Sequence, residues 1–128
     1  RQMCIRDSLR TAIDSIINQT FKDFELVIIN DGSIDSTEQI IQSYEDHRIV
    51  YVKNEKNIGL VNSLNKALKL CRGEFVARMD ADDISMPDRL EKQMSFLRNN
   101  EQFAMVASVV QPIDTNGDYL GLWTTDAS

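Results

Sequence analysis

A short, nearly continuous apolar run rich in β-branched residues, Glu25-Leu26-Val27-Ile28-Ile29, lies between two helical stripes and ends on Asn30-Asp31-Gly32-Ser33. Such a run reads as a strand covered on both faces, which is the condition of a parallel sheet. Upstream, Leu9, Ala12, Ile13, Ile16 and Ile17 recur at helical spacing, which predicts a helix over 8–19. Downstream, Asp35-Ser36 offers an N-cap, with Glu38 and Gln39 placed for a capping box ahead of Ile40, Ile41 and Tyr44. Ile49-Val50-Tyr51-Val52 reads as the next strand. Leu60, Val61, Leu64, Ala67, Leu68 and Cys71 form the stripe of a third helix, with Gly73 placed for a left-handed cap. Phe75 to Met79 reads as a third strand that runs into Asp80-Ala81-Asp82-Asp83. Pro87 then opens a fourth helix, whose core face is Leu90, Met94 and Leu97. A strand over Phe103 to Val110 and a turn at Thr115-Asn116-Gly117-Asp118 complete the pattern, with Tyr119 to Trp123 placed to pair antiparallel. Strands alternating with helices predict an α/β class, an open and mostly parallel sheet flanked by helices.

Sheets of this kind bind ligands beyond the carboxyl ends of their strands. Three loops meet that rim: Asp31-Gly32-Ser33, the segment from Lys53-Asn54 to Asn57-Ile58-Gly59, and Asp80-Ala81-Asp82-Asp83. The 128 residues suffice for one domain. Twenty acidic against 14 basic residues leave a net charge of −6, which argues against a nucleic-acid footprint or a polybasic membrane anchor. No apolar run approaches the roughly 20 residues that span a bilayer. Two cysteines and one histidine exclude a disulfide scaffold, a zinc cluster and most histidine-based triads. Carboxylates remain as the chemical groups to explain.

Asp80, Asp82 and Asp83 repel one another unless something offsets their charge. A hard divalent cation does so, and Mg²⁺ takes only one or two protein carboxylates besides phosphate oxygens and water. The same metal reverses the repulsion between an acidic loop and a diphosphate. The plainer alternative is a solvated turn whose negative charge favours the start of the next helix. Asp31-Gly32-Ser33 has its own plain reading as turn chemistry after a strand. Its functional reading makes Asp31 an acceptor for a nucleobase edge, with Gly32 allowing close backbone approach. Asn57-Ile58-Gly59 likewise reads as a turn before a helix, and Arg78 is expected to pair with Asp80 rather than with a phosphate.

Taken in order, these elements are more specific than any one of them. Ser15-Ile16-Ile17-Asn18-Gln19-Thr20, Phe24 through Ser33, Asp35-Ser36-Thr37, Asn57-Ile58-Gly59-Leu60, Gly73 through Asp83 and Met86-Pro87-Asp88-Arg89-Leu90 follow one another at characteristic spacing. From Leu9 to about Gly121 the chain resembles the family 2 glycosyltransferases, the large inverting group with a GT-A fold. The resemblance implies a Rossmann-like nucleotide-diphospho-sugar transferase with a divalent metal cofactor, Mg or Mn. It implies that Asp31, with Gly32 and Ser33, contacts the nucleobase, and that Asn57 and Gly59 border the nucleotide pocket. It implies an Asp-x-Asp pair in which Asp82 is the direct metal ligand and Asp80 lies nearer the ribose, with Asp83 a further metal candidate.

The resemblance also sets expectations about what this stretch lacks. Family members begin with a strand ending in a Pro-x-Tyr-Asn-like loop, and nothing here matches it. That strand lies between those ending at Asp31 and Asp80, so its absence leaves two neighbours without a ladder partner. The general base comes from a later acidic motif, expected beyond Ser128. Residues 1–8 read as a non-native or disordered leader and 9–128 as a partial GT-A domain, the donor-binding part and inactive alone. The whole protein is expected to be a cytoplasmic bacterial enzyme of polysaccharide biosynthesis, held at the inner membrane face through other regions, with a glycan or lipid-linked acceptor. The alternative is a non-catalytic nucleotide-binding or interaction module of the same fold. A nucleotidyltransferase ranks last, because the five glycines form no phosphate loop.

Overall fold

The structure, a computed structural model, describes residues 5–121. Six elements follow one another: α1 (Ile5–Ile17), β1 (Leu26–Asn30), α2 (Thr37–Gln42), β2 (Ile49–Lys53), α3 (Leu60–Leu70) and α4 (Arg89–Asn99). β1 and β2 pair in parallel, with Leu26 opposite Ile49 and Asn30 opposite Lys53. The fold class is therefore α/β, with the helices of the pattern flanking a parallel pair.

The core sits on one face of that pair. Leu9 and Ile13 of α1 meet Ile40 and Ile41 of α2, and Leu26, Ile28, Ile49 and Tyr51 pack against them. The strand period of two explains the choice, since Leu26 and Ile28 share a face and Val27 and Ile29 take the other. α3 lies against β1. Tyr44 closes the α1–α2 seam by donating its hydroxyl hydrogen to Asp14 Oδ1 at 2.8 Å, and burial with that neighbour raises its pKa to about 12.

Several expectations change. The first helix occupies Ile5–Ile17 rather than 8–19. No side-chain cap bond forms at Ser36; Asp35 Oδ1 instead accepts from the Thr37 N–H at 3.0 Å, and Glu38 pairs with Lys53. Gly73 does not take a left-handed conformation, because α3 ends in extended backbone at Cys71. The α3 stripe is only half covered: Leu64, Ala67 and Cys71 are half-buried, while Leu60, Val61 and Leu68 are exposed. α4 opens at Arg89 rather than at Pro87, with Asp88 in the N-cap position, and its Leu90, Met94 and Leu97 are half-buried.

The larger change concerns the sheet. Phe75 to Met79 and Phe103 to Val110 form no strand, and the sheet among the described residues has two strands. A strand exists only by virtue of its ladder, so an extended segment with no neighbour at about 4.8 Å remains irregular. The expected turn at 115–118 is present, with an isolated antiparallel bridge between Ile113 and Tyr119. Leu122 and Trp123 of the last expected strand, and residues 1–4 of the expected leader, lie outside the described residues.

Candidate functional site

Parallel register decides what surrounds Asp31. Because Asn30 pairs with Lys53, the residues just beyond the two strands, Asp31 and Asn54, emerge side by side. The Asn54 N–H donates to the Asn30 carbonyl at 2.8 Å, extending the ladder by one step. Buried Asn30 then shapes the turn: its amide donates to the Tyr51 hydroxyl at 3.1 Å, and its Oδ1 accepts from the Ser33 N–H at 2.8 Å.

Asp31 clamps the second loop onto the first. Its Oδ1 accepts from the Ile58 N–H at 2.9 Å and from Asn54 Nδ2 at 2.9 Å, and its Oδ2 accepts from the Gly59 N–H at 3.0 Å. Gly59 is the N-cap of α3 and has no side chain to satisfy the helix start, so the Asp31 carboxylate supplies the negative charge that this end favours. Gly32 completes the contact. Its φ is +77°, and a Cβ there would lie 2.8 Å from the Asn57 nitrogen and 2.9 Å from the Lys56 carbonyl carbon. The loops 31–33 and 56–59 are thus locked backbone against backbone.

These bonds hold the Asp31 carboxyl below its ordinary value of 3.8, the Ile58 N–H first and Asn54 next, against a smaller opposing effect of burial, with Ser63 and Gly59 adding to the lowering. A carboxylate depressed by the fold contributes stability that is present above the unfolded value and is lost as pH falls through the folded one. The contribution of Asp31 therefore persists below pH 3.8 and disappears only at stronger acidity. A carboxyl ¹³C titration of Asp31 checks this; a midpoint at or above the ordinary value contradicts it.

The acidic loop is held by a different set of bonds. Asp80, Asp82 and Asp83 are all exposed, on a turn in which the Asp83 N–H donates to the Asp80 carbonyl at 3.2 Å. Arg78 pairs with Asp80 at 3.0 Å as expected, and with both side chains more than half exposed the pair adds little stability. Immediately beyond, the chain is anchored. Ser85 donates its N–H to Ser15 Oγ at 3.1 Å, and Arg89 reaches Ser85 Oγ at 3.0 Å and the Arg78 carbonyl at 2.9 Å. The fully buried Gln19 is the chief tie: Nε2 donates to the Met86 carbonyl at 2.7 Å, and Oε1 accepts from the Leu90 N–H at 3.0 Å.

The structure thus brings Asp31, Gly32, Ser33, Asn57 and Gly59 into one rim and leaves the acidic loop as a separate, solvent-facing limb. No group of three or more acidic, histidine or cysteine side chains among the described residues converges to form an all-protein metal cage. The donor set still fits a hard cation that takes one or two carboxylates and draws its other ligands from diphosphate and water. Sequence reasoning gave no role to Asn54 or Gln19, although both lie in stretches it singled out, and passed over Ser63 and Lys66. For Asn54 a signal existed: a polar residue directly after a strand that pairs in register with the one preceding Asp31.

Comparison with known proteins gives these loops a context. The model of the family described as Glycosyl transferase family 2 matches residues 4–125. An uncharacterized glycosyltransferase of Methanocaldococcus jannaschii is 44% identical over 115 residues, which cover 88% of this chain and 40% of the relative. Chondroitin synthase of Escherichia coli is 35% identical over 109 residues, 84% of this chain and 16% of that protein. An Escherichia coli UDP-Glc:alpha-D-GlcNAc-diphosphoundecaprenol beta-1,3-glucosyltransferase is 32% identical over 98 residues, 77% of this chain and 39% of that one. The chain thus spans less than half the length of these relatives. With the family match running through both loops and the acidic limb, the chain belongs to glycosyl transferase family 2, whose fold is the Rossmann-like GT-A arrangement.

Proposed function

We propose that this chain is the donor-binding part of a glycosyltransferase that uses a nucleotide-diphospho-sugar. The observation that carries the reading is the Asp31 clamp: an ionised carboxylate at the end of β1, fixed by two backbone N–H groups and one amide. Its Oδ2 takes one hydrogen bond from the chain and so retains capacity for an N–H of a nucleobase. Gly59 leaves the rim free of a side chain, with nothing within 4 Å of where a Cβ would stand, so a flat base can approach.

The diphosphate would extend from that rim toward the acidic limb. Asp82 would be the metal ligand there, Asp80 the group nearer the ribose and Asp83 a further candidate. A divalent cation, Mg²⁺ or Mn²⁺, would stabilise the charge that develops on the leaving diphosphate. Arg78 restrains Asp80, and the Gln19 tie fixes the far end of the limb. The acceptor is a glycan or a lipid-linked sugar, and the Escherichia coli glucosyltransferase similar to this chain is named for a lipid-linked one. On this reading the protein works in polysaccharide assembly at the inner face of the membrane. No helix among the described residues is long and apolar enough to cross a bilayer.

Calorimetric titration with UDP, GDP, CDP and ADP, with Mn²⁺ or with chelator, tests the reading. At least one nucleotide is expected to bind, about tenfold more weakly after chelation, a loss of about 1.4 kcal/mol. Asp82→Ala should reproduce the chelated affinity, and Asp31→Asn should weaken binding with or without metal. Equal affinities in Mn²⁺ and chelator sink the metal assignment; no binding by any of the four nucleotides sinks the function.

A further inference from the structure

Behind Asp31 stands a polar chain that the loop motifs do not account for. Asn54 is 3% exposed, yet its side chain is fully engaged: Nδ2 donates to Asp31 Oδ1 at 2.9 Å and to Ser63 Oγ at 3.1 Å, while Oδ1 accepts from Lys66 Nζ at 2.7 Å. Ser63 and Lys66 come from adjacent turns of α3, so the helix that Asp31 caps also returns a hydroxyl and a cation to the amide that binds this carboxylate.

The chemistry of the three groups allows one arrangement. An ammonium has only donors, so Asn54 must present oxygen to Lys66. The amide nitrogen then necessarily faces Asp31, which as a carboxylate only accepts. Without the cation, the two orientations of the amide compete, and one of them aims a carbonyl oxygen at a carboxylate. Lys66 also polarises the amide, which strengthens its donation to Asp31 in a site shielded from water.

We propose that Lys66, acting through the buried amide of Asn54, is a positioning residue for Asp31, holding the carboxylate so that Oδ2 faces an incoming nucleobase. The inference rests on the base-recognition reading above, and goes beyond it in assigning the orientation of Asp31 to a residue outside the loops. Lys66 touches neither base nor phosphate on this account. Its loss should therefore weaken recognition of the nucleoside and leave binding of bare diphosphate alone.

The experiment compares the nucleoside diphosphate that the parent chain binds most tightly with inorganic pyrophosphate, both with Mn²⁺. Lys66→Met keeps the apolar stem and removes the charge; it should lower nucleotide affinity about tenfold while pyrophosphate affinity stays within about twofold. Lys66→Arg keeps the charge and the reach, and should restore nucleotide affinity. Nucleotide affinity unchanged in Lys66→Met overturns the inference, as does an equal fall for pyrophosphate, which would mark a direct phosphate contact or a general loss of structure. Asp31→Asn separates the two readings. If it binds like the parent, base recognition by Asp31 fails; if it loses nucleotide affinity while Lys66→Met does not, only the positioning role fails.

Discussion

Gly32→Ala is expected to lower the denaturation free energy by on the order of 3 kcal/mol and to abolish nucleotide binding. Two independent costs add. At φ +77° an alanine meets its own carbonyl oxygen, a strain that glycine escapes. The new methyl would also lie 2.8 Å from the Asn57 nitrogen and 2.9 Å from the Lys56 carbonyl carbon, both backbone atoms that no rotamer change can move. Relief requires the 56–59 loop to retreat from β1. That retreat would pull the Ile58 and Gly59 N–H groups away from Asp31 and release the start of α3. Gly59→Ala serves as the contrast. At φ +86° and ψ 162° it carries a backbone strain of its own, but nothing lies within 4 Å of the added Cβ, so the packing cost is absent. Urea unfolding should place Gly32→Ala well below Gly59→Ala; equal midpoints would show that the two loops are not in contact.

The same loops mark how far local sequence reasoning reaches. Asp31, Gly32, Asn57 and Gly59 were legible because a strand followed by turn residues is a local pattern, and the structure brings these residues together. Helices were legible for the same reason, since each shows its own stripe; what moved were the ends, at Ile5, Asp88 and Cys71. Phe75 to Met79 was misread because its composition suits a strand, whereas forming one depends on a neighbour that local pattern does not report. The polar ties were hidden by separation. Asn54 meets Asp31 across 23 positions, and Gln19 meets Leu90 across 71. Glutamine near a helix end looks like an ordinary solvent-facing residue, and only tertiary placement reveals that its amide is buried.

That buried amide carries the other large effect. In Gln19→Leu the volume is nearly kept, but the Leu90 N–H and the Met86 carbonyl lose their partner, a side chain that is itself fully buried. Each orphaned group costs about 1–3 kcal/mol, so a loss of about 3–4 kcal/mol is expected. The effect should be directional along the chain. Amide exchange at Leu90 and neighbouring positions of α4 should accelerate, because Gln19 supplies the acceptor at that helix start, while β1 and β2 change little.

Gln19→Glu separates hydrogen bonding from shape. A glutamate oxygen can still accept from Leu90, but an ionised carboxylate has no proton for the Met86 carbonyl or for the Ser15 carbonyl at 2.9 Å. The fold therefore favours the protonated acid and raises its pKa above the unfolded value of about 4.3. Such a group keeps its stability below the unfolded pKa and loses it as pH rises to the folded one. The variant should thus approach the parent near pH 4 and fall progressively behind it toward neutrality, whereas Gln19→Leu shows a deficit independent of pH. Parallel pH profiles for the two variants would mean that Gln19 fills space beside the acidic limb rather than tying it to α1.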